Sequence, residues 1–125
     1  MQCKFYELIR EKRLALREQG DRSFSLRQVA FRIGVEPSYL SKIERGELPP
    51  PSEGKIVLLA GELGMDADYL LALGGKVASD LQYIIRERPV IYGCLIRRLR
   101  DEPDETLHYL IDQAEQGHLP ERRVD

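Results

Sequence analysis

The chain has 125 residues, of which 42% are hydrophobic and 32% charged, and its formal net charge is −2. This length suits one domain with a short extension and excludes an enzyme built from two domains around a cleft. The near-neutral balance does not indicate a nucleic-acid-binding protein, so such a function must rest on local charge. Two cysteines, Cys3 and Cys94, are too few for a disulfide scaffold or a zinc site, and no apolar run approaches the ~20 residues of a membrane span. We expect a cytoplasmic protein without metal or cofactor and without membrane contact.

Helical periodicity runs along the whole chain. Glycine and proline divide it into segments of helical length, and apolar residues recur within these segments every three or four positions. No segment alternates apolar and polar residues as a surface strand does. The predicted fold class is therefore all-α, with five helices in residues 1–75 and about three short helices in residues 76–117. The polar tail, residues 118–125, is predicted to fray.

Helix start and stop signals agree with this division. Ser25, Ser52 and Asp66 each precede a predicted helix and carry side chains that can cap its first turn. Gly34 and Gly64 each fall just after a predicted helix, where a left-handed residue is favoured. The second helix is therefore expected to end at Gly34, close to the start of the third.

Residues 25–50 contain the most informative pattern. Two short helices are separated by only Gly34 and Val35, a spacing typical of two helices that cross steeply in a helix-turn-helix. An apolar seam fixes the crossing angle and comprises Ile33, Val35, Leu40 and Ile43. The other side chains of the second helix of the pair then point outward, namely Ser38, Tyr39, Ser41, Lys42 and Arg45. A short, polar, slightly basic face of this kind can enter a major groove of DNA.

The segment PSYLSKIERG, residues 37–46, and the following ELPPPSEGKIVLLAGELGMDADYLL resemble the XRE family of phage repressor and Cro-like regulators. The resemblance extends from residue 5 to about residue 74. It implies a five-helix repressor-like domain in residues 1–75 that binds DNA through a recognition helix at residues 37–45. The remaining helices form a short C-terminal extension of that domain.

The resemblance also implies roles for individual residues. The start of the recognition helix is expected to meet bases, and Lys42, one turn later, can donate to guanine O6 or N7. The start of the preceding helix and the loop after the recognition helix are expected to contact phosphates. Arg13 and Glu44 are expected to form a structural pair. The predicted DNA-binding residues are Ser25, Arg27, Pro37, Ser38, Tyr39, Ser41, Lys42 and Arg45.

Local charge supports DNA binding modestly. Residues 10–32 contain seven basic and three acidic residues, an excess of four positive charges. Phosphate contacts from this region would give a salt-dependent affinity. The alternative for Arg10, Lys12 and Arg17 is that they form surface pairs with neighbouring glutamates, which contribute little to stability.

The three C-terminal helices carry apolar stripes that about forty residues cannot bury alone. We expect them either to pack on the N-terminal domain or to form an isologous two-fold dimer interface. The predicted dimerisation residues are Ile84, Ile91, Leu95, Leu99, Leu107, Leu110 and Ile111. Cys94 lies within the same apolar stretch and is expected to be buried as a small hydrophobic residue.

Two functions remain open. The first is a homodimeric repressor, acting near its own promoter, that binds a palindromic operator in double-stranded DNA. The second is an interaction protein whose C-terminal helices bind a toxin, as an antitoxin does, or an antirepressor or peptidase that controls it. No nucleophile–histidine–acid set, phosphate loop or carboxylate pair is present, so we predict that the protein is not an enzyme.

Overall fold

The computed structural model describes residues 2–117, with side chains from Lys4 onward, and the tail 118–125 and the Cys3 side chain lie outside this description. Over these residues the chain forms eight α-helices, one 3₁₀ helix and no strand, which confirms the all-α prediction. The helices are α1 (Gln2–Glu18), α2 (Leu26–Ile33), α3 (Pro37–Glu44), α4 (Glu53–Leu63), α5 (Ala67–Leu73), α6 (Ser79–Glu87), α7 (Pro89–Leu99) and α8 (Asp104–Glu115), and the 3₁₀ helix is Arg22–Phe24.

The chain divides into two compact units between Gln82 and Tyr83. The N-terminal unit contains α1 to α5 and the first turn of α6, and the C-terminal unit contains the rest of α6 with α7 and α8. The unit boundary thus lies inside a helix and after the predicted boundary at residue 75. None of the described helices is both long enough and apolar enough to cross a membrane.

All five α-helices of the N-terminal domain contribute to one hydrophobic core. Helix α1 contributes Phe5 and Ile9 to it, and the predicted helix-turn-helix seam contributes Ile33, Leu40 and Ile43. Other buried apolar residues are Val29, Ala30, Ile56, Leu59, Ala60, Leu63, Leu70 and Leu71. Val35 is only half-buried but packs against this core.

Helix ends follow most of the sequence signals. The Ser25 hydroxyl accepts a hydrogen bond from the Gln28 amide at 3.2 Å, and the Asp66 carboxylate accepts one from the Tyr69 amide at 3.1 Å. Both caps satisfy an amide of the first turn, which has no partner within the helix. The cap predicted at Ser52 is wrong, because its side chain makes no capping hydrogen bond.

Arg13 and Glu44 form the predicted pair, and both side chains are buried. The Arg13 Nε atom lies 2.7 Å from Glu44 Oε2, and Arg13 Nη2 lies 2.8 Å from Glu44 Oε1. Arg13 Nη1 also donates to the Phe24 carbonyl at 3.2 Å. A bidentate, charge-assisted contact of this geometry joins α1 both to the last residue of α3 and to the segment before α2.

The described part of the C-terminal unit buries no side chain. Val90 is 83% exposed and Ile91 is 62% exposed, and the helices of this unit contain no buried residue. The prediction that Cys94 is buried is wrong, because its thiol is exposed. The apolar residues around Cys94 favoured burial, but within the described residues α7 has no buried residue.

We predict that Arg13→Met destabilises the N-terminal unit by about 3–5 kcal/mol, because Glu44 would remain buried without a partner. Glu47→Gln is the matched control, since it removes the exposed Arg45–Glu47 pair and should change stability by less than about 1 kcal/mol. Chemical denaturation of the full chain measures both. The double variant Arg13→Met, Glu44→Met should recover part of the loss, and equal losses for Arg13→Met and Glu47→Gln would contradict the prediction.

Candidate nucleic-acid interface

A tight turn joins α2 and α3. Gly34 adopts a left-handed conformation with φ 76°, which a residue with a Cβ atom rarely occupies. The Gly34 amide donates to the Phe31 carbonyl at 3.1 Å, and the Val35 amide donates to the Ala30 carbonyl at 2.9 Å. These bonds end α2, and α3 then begins at Pro37, whose ring suits a first helical turn.

The two faces of α3 differ sharply. Leu40, Ile43 and Glu44 are buried in the domain, whereas Ser38 and Lys42 are exposed on the opposite side. The buried side fixes the helix against the core, and the exposed side can therefore offer hydroxyl and ammonium groups to a ligand. Glu36, which precedes the helix, is exposed and makes no capping hydrogen bond.

Three other residues predicted on this face are less accessible. Pro37, Tyr39 and Ser41 are half-buried, and the Tyr39 ring packs against the hydrophobic core. The outward orientation predicted for Tyr39 is thus only partly met. Because the ring is partly covered by the core, only its exposed part can contact a ligand.

The end of α3 is held close to α1. Gly46 has φ 74°, and a Cβ atom at this position would lie 2.7 Å from the Tyr6 ring. The amides of Gly46 and Glu47 donate to the carbonyls of Ile43 and Lys42 at 3.0 and 2.9 Å and so close the helix. Arg45 directly precedes Gly46 in the chain and is exposed. Its Nη2 atom lies 3.2 Å from Glu47 Oε2.

Basic residues surround the start of α2. An open cavity of about 490 Å³ is lined by Arg17 of α1, by Arg22 of the 3₁₀ helix, and by Gly20, Ser25 and Gln28. Free amides at a helix start attract anions, and two arginines add positive charge there. Arg27 is exposed on α2 itself. The sequence analysis assigned no DNA contact to Arg22 or Gln28, and for Arg22 the basic excess in residues 10–32 was the available signal.

The loop before α2 is ordered by a capping interaction. The Asp21 side chain accepts hydrogen bonds from the Ser23 hydroxyl and from the Ser23 amide, which lies 3.0 Å away. These two bonds, the hydroxyl first, lower the pKa of Asp21 because they favour its ionised form. Arg22 follows Asp21 in the chain, and both side chains are exposed. The loop therefore presents one negative and one positive charge to solvent.

Ion pairs within the domain reduce the basic excess. Arg13 is committed to Glu44, and Arg32 Nε lies 2.7 Å from Glu62 Oε2. The remaining basic residues of this region are exposed and comprise Arg10, Lys12, Arg17, Arg22 and Arg27. Among the described residues, no three His, Cys, Asp or Glu side chains come together as metal ligands would.

The geometry agrees with a comparison to known families. A helix-turn-helix family profile matches residues 14–70, which extend from α1 into α5. Residues 14–70 are therefore an XRE-type helix-turn-helix domain, and a domain of this type implies DNA binding. Neither a curated protein nor a solved structure matches the chain.

We predict that Gly34→Ala destabilises the domain by about 1–2 kcal/mol, because alanine disfavours the left-handed conformation of the turn. Gly61→Ala is the matched control, since Gly61 lies inside α4 and a Cβ atom there meets nothing within 4 Å. It should stabilise the domain by about 0.5–1 kcal/mol. Thermal denaturation of both variants checks the opposite signs, and a shift in the same direction would refute the assignment of the turn.

Proposed function

We propose that this chain, which carries an XRE-type helix-turn-helix domain, is a sequence-specific transcriptional regulator that acts as a homodimeric repressor on a palindromic operator. The observation that carries the proposal is the two-sided α3. Its buried side fixes the helix on the core, while Ser38 and Lys42 remain exposed. A helix held in this way can enter a major groove and keep a defined register there.

Base contacts would come from the exposed side of α3. The Lys42 ammonium group can donate to guanine O6 or N7, and the Ser38 hydroxyl can donate or accept with several bases. Pro37 and Ser41 flank these groups and would contribute shape and short polar contacts. The partly buried Tyr39 can offer its exposed edge to a thymine methyl group or its hydroxyl to a phosphate.

Phosphate contacts would come from the start of α2 and from the loop after α3. Ser25, Arg27 and Arg45 keep the phosphate-contacting roles that the resemblance implies. The cavity at the α2 start supports adding Arg17 and Arg22, because both arginines line it beside Ser25, the residue that precedes α2. Contacts of this kind position the domain on the duplex and make its affinity depend on salt.

The C-terminal unit supports the dimer. Ile84, Ile91, Leu95 and Ile111 are all at least 40% exposed, and Leu99, Leu107 and Leu110 are half-buried. A small unit that leaves its large apolar side chains in water gains stability when a second copy covers them. Two-fold pairing would place two recognition helices on half-sites about one helical turn apart.

The same exposed apolar surface favours a second candidate function. A toxin, an antirepressor or a peptidase could bind the C-terminal helices, and the helix-turn-helix would then serve that interaction. The operator-bound repressor remains our first proposal because the matched family profile covers the DNA-binding domain and not the C-terminal unit. Both candidate functions fit a cytoplasmic protein. Neither of them requires an enzyme activity or a cofactor.

We predict that selection from a random DNA pool with the full chain yields a palindromic sequence. Ser38→Ala and Lys42→Ala should each change base preference at one position of each half-site and weaken binding by about 1–3 kcal/mol. Lys76→Ala, an exposed lysine outside α3, is the control and should select the unchanged sequence. Recovery of no enriched sequence, or of the same sequence by all three variants, would rule against α3 as the recognition helix.

We predict that the full chain is a dimer in analytical ultracentrifugation and that Ile91→Asp with Leu95→Asp converts it to a monomer. Buried carboxylates at an apolar interface would lack partners and oppose association. Gln116→Asp places the same charge at an exposed polar position of the unit and should leave the dimer intact. A double variant that remains dimeric would place the interface elsewhere, and a monomeric unmodified chain would favour a partner protein.

A further inference from the structure

Lys55 of α4 reaches the turn between α2 and α3. Its ammonium group donates to the Ile33 carbonyl at 2.9 Å and lies 3.4 Å from the Gly34 carbonyl. These are the last residue of α2 and the glycine that follows it. A Cβ atom on Gly34 would lie 3.1 Å from Lys55 Nζ, so the ammonium group rests directly against the turn.

The position of Lys55 matches what the end of a helix lacks. The last carbonyls of an α-helix have no amide partner within the helix and carry the negative end of its dipole. The Gly34 and Val35 amides satisfy the carbonyls of Phe31 and Ala30. Lys55 supplies a cation and hydrogen-bond donors to the carbonyls of Ile33 and Gly34, which lie beyond these two, and positive charge there stabilises the helix end.

A second contact joins the same two helices. Arg32 and Glu62 lie 2.7 Å apart through Nε and Oε2, and their side chains are 28% and 29% exposed. The start of α4 therefore contacts the end of α2 through Lys55, and the end of α4 contacts the last turn of α2 through Glu62. The two contacts are seven residues apart on α4 but join neighbouring residues of α2, so both hold the last turn of α2 against α4.

We propose that Lys55 is a positioning residue for DNA recognition, an inference that rests on the proposed function. By holding the turn, its ammonium group sets the angle at which α3 presents Ser38 and Lys42. Lys55 performs this role without touching DNA, because its ammonium group is directed at protein carbonyls and its side chain is half-buried. No contact of the helix-turn-helix with DNA is assigned to α4.

The salt dependence of operator affinity tests this role. The experiment measures the operator affinity of three full-length variants, Lys55→Met, Lys55→Arg and Arg22→Gln, between 50 and 200 mM salt at ~25 °C. Circular dichroism checks that each variant is folded. Lys55→Met should weaken binding on the order of tenfold at every salt concentration, with the slope of log affinity against log salt unchanged. Lys55→Arg keeps a cationic donor and should restore most of the affinity. Arg22→Gln removes a proposed phosphate contact and should reduce the slope by about 0.9.

Two results of the affinity measurements would overturn the proposal. A folded Lys55→Met variant with unchanged affinity would show that the turn needs no support from Lys55. A slope reduced by about 0.9, as expected for Arg22→Gln, would show that Lys55 contacts a phosphate directly.

Hydrogen exchange separates failure of this inference from failure of the proposed function, because it needs no DNA. In Lys55→Met the amides of Gly34 and Val35 should exchange several times faster. The amides of Gly64 and Met65 are the control, since they close α4 by bonds of the same type and should not change. Unchanged exchange at Gly34 and Val35 overturns the inference. If neither the unmodified chain nor any variant binds a DNA sequence, the proposed function is wrong, and so is the role of Lys55 in recognition. Faster exchange would then show only that Lys55 holds the turn.

Discussion

The buried pair between Arg13 and Glu44 holds together the parts of the DNA-binding domain. Two charges in a hydrophobic core are costly unless each is paired and hydrogen-bonded, and here the bidentate contact meets that condition. Arg13 adds a third bond to the Phe24 carbonyl, just before α2. The last residue of α3 and the approach to α2 are therefore both fixed to α1. Because the pair is directional, it restricts the relative orientation of these helices more than apolar contacts alone would.

Helix α4 also connects several parts of the domain. It contributes buried apolar residues to the core, and its polar side chains reach two other helices. Lys55 and Glu62 contact α2, and the Glu53 carboxylate accepts hydrogen bonds from the Ser79 amide at 2.8 Å and the Ser79 hydroxyl at 2.7 Å. Glu53 thereby caps the first turn of α6, the helix that continues into the C-terminal unit. A helix with no proposed DNA contact thus supports both the turn between α2 and α3 and the start of α6.

The two units differ in how far they bury their apolar side chains. The N-terminal unit buries its apolar stripes against one another, and its exposed α3 residues are polar. The described part of the C-terminal unit has stripes of the same helical period, yet it buries none of their residues fully. Amphipathic helices that remain exposed in one chain are typical of surfaces that associate with another chain. This contrast is the physical basis for our proposal that the first unit recognises DNA and the second mediates assembly.

The sequence by itself determined the features that depend on neighbouring residues. The caps at Ser25 and Asp66 and the left-handed turn at Gly34 follow from interactions over three or four residues, and helical periodicity identified most of the core. The Arg13–Glu44 pair was predicted only through the family resemblance, since its partners are 31 residues apart. Only the tertiary structure decided that Lys55 reaches the α2 end, that Arg17 and Arg22 share one cavity, that Tyr39 is half-buried and that Cys94 is exposed. These outcomes depend on which helices pack together, and a periodic pattern shows that a residue faces a neighbour but not which neighbour lies there.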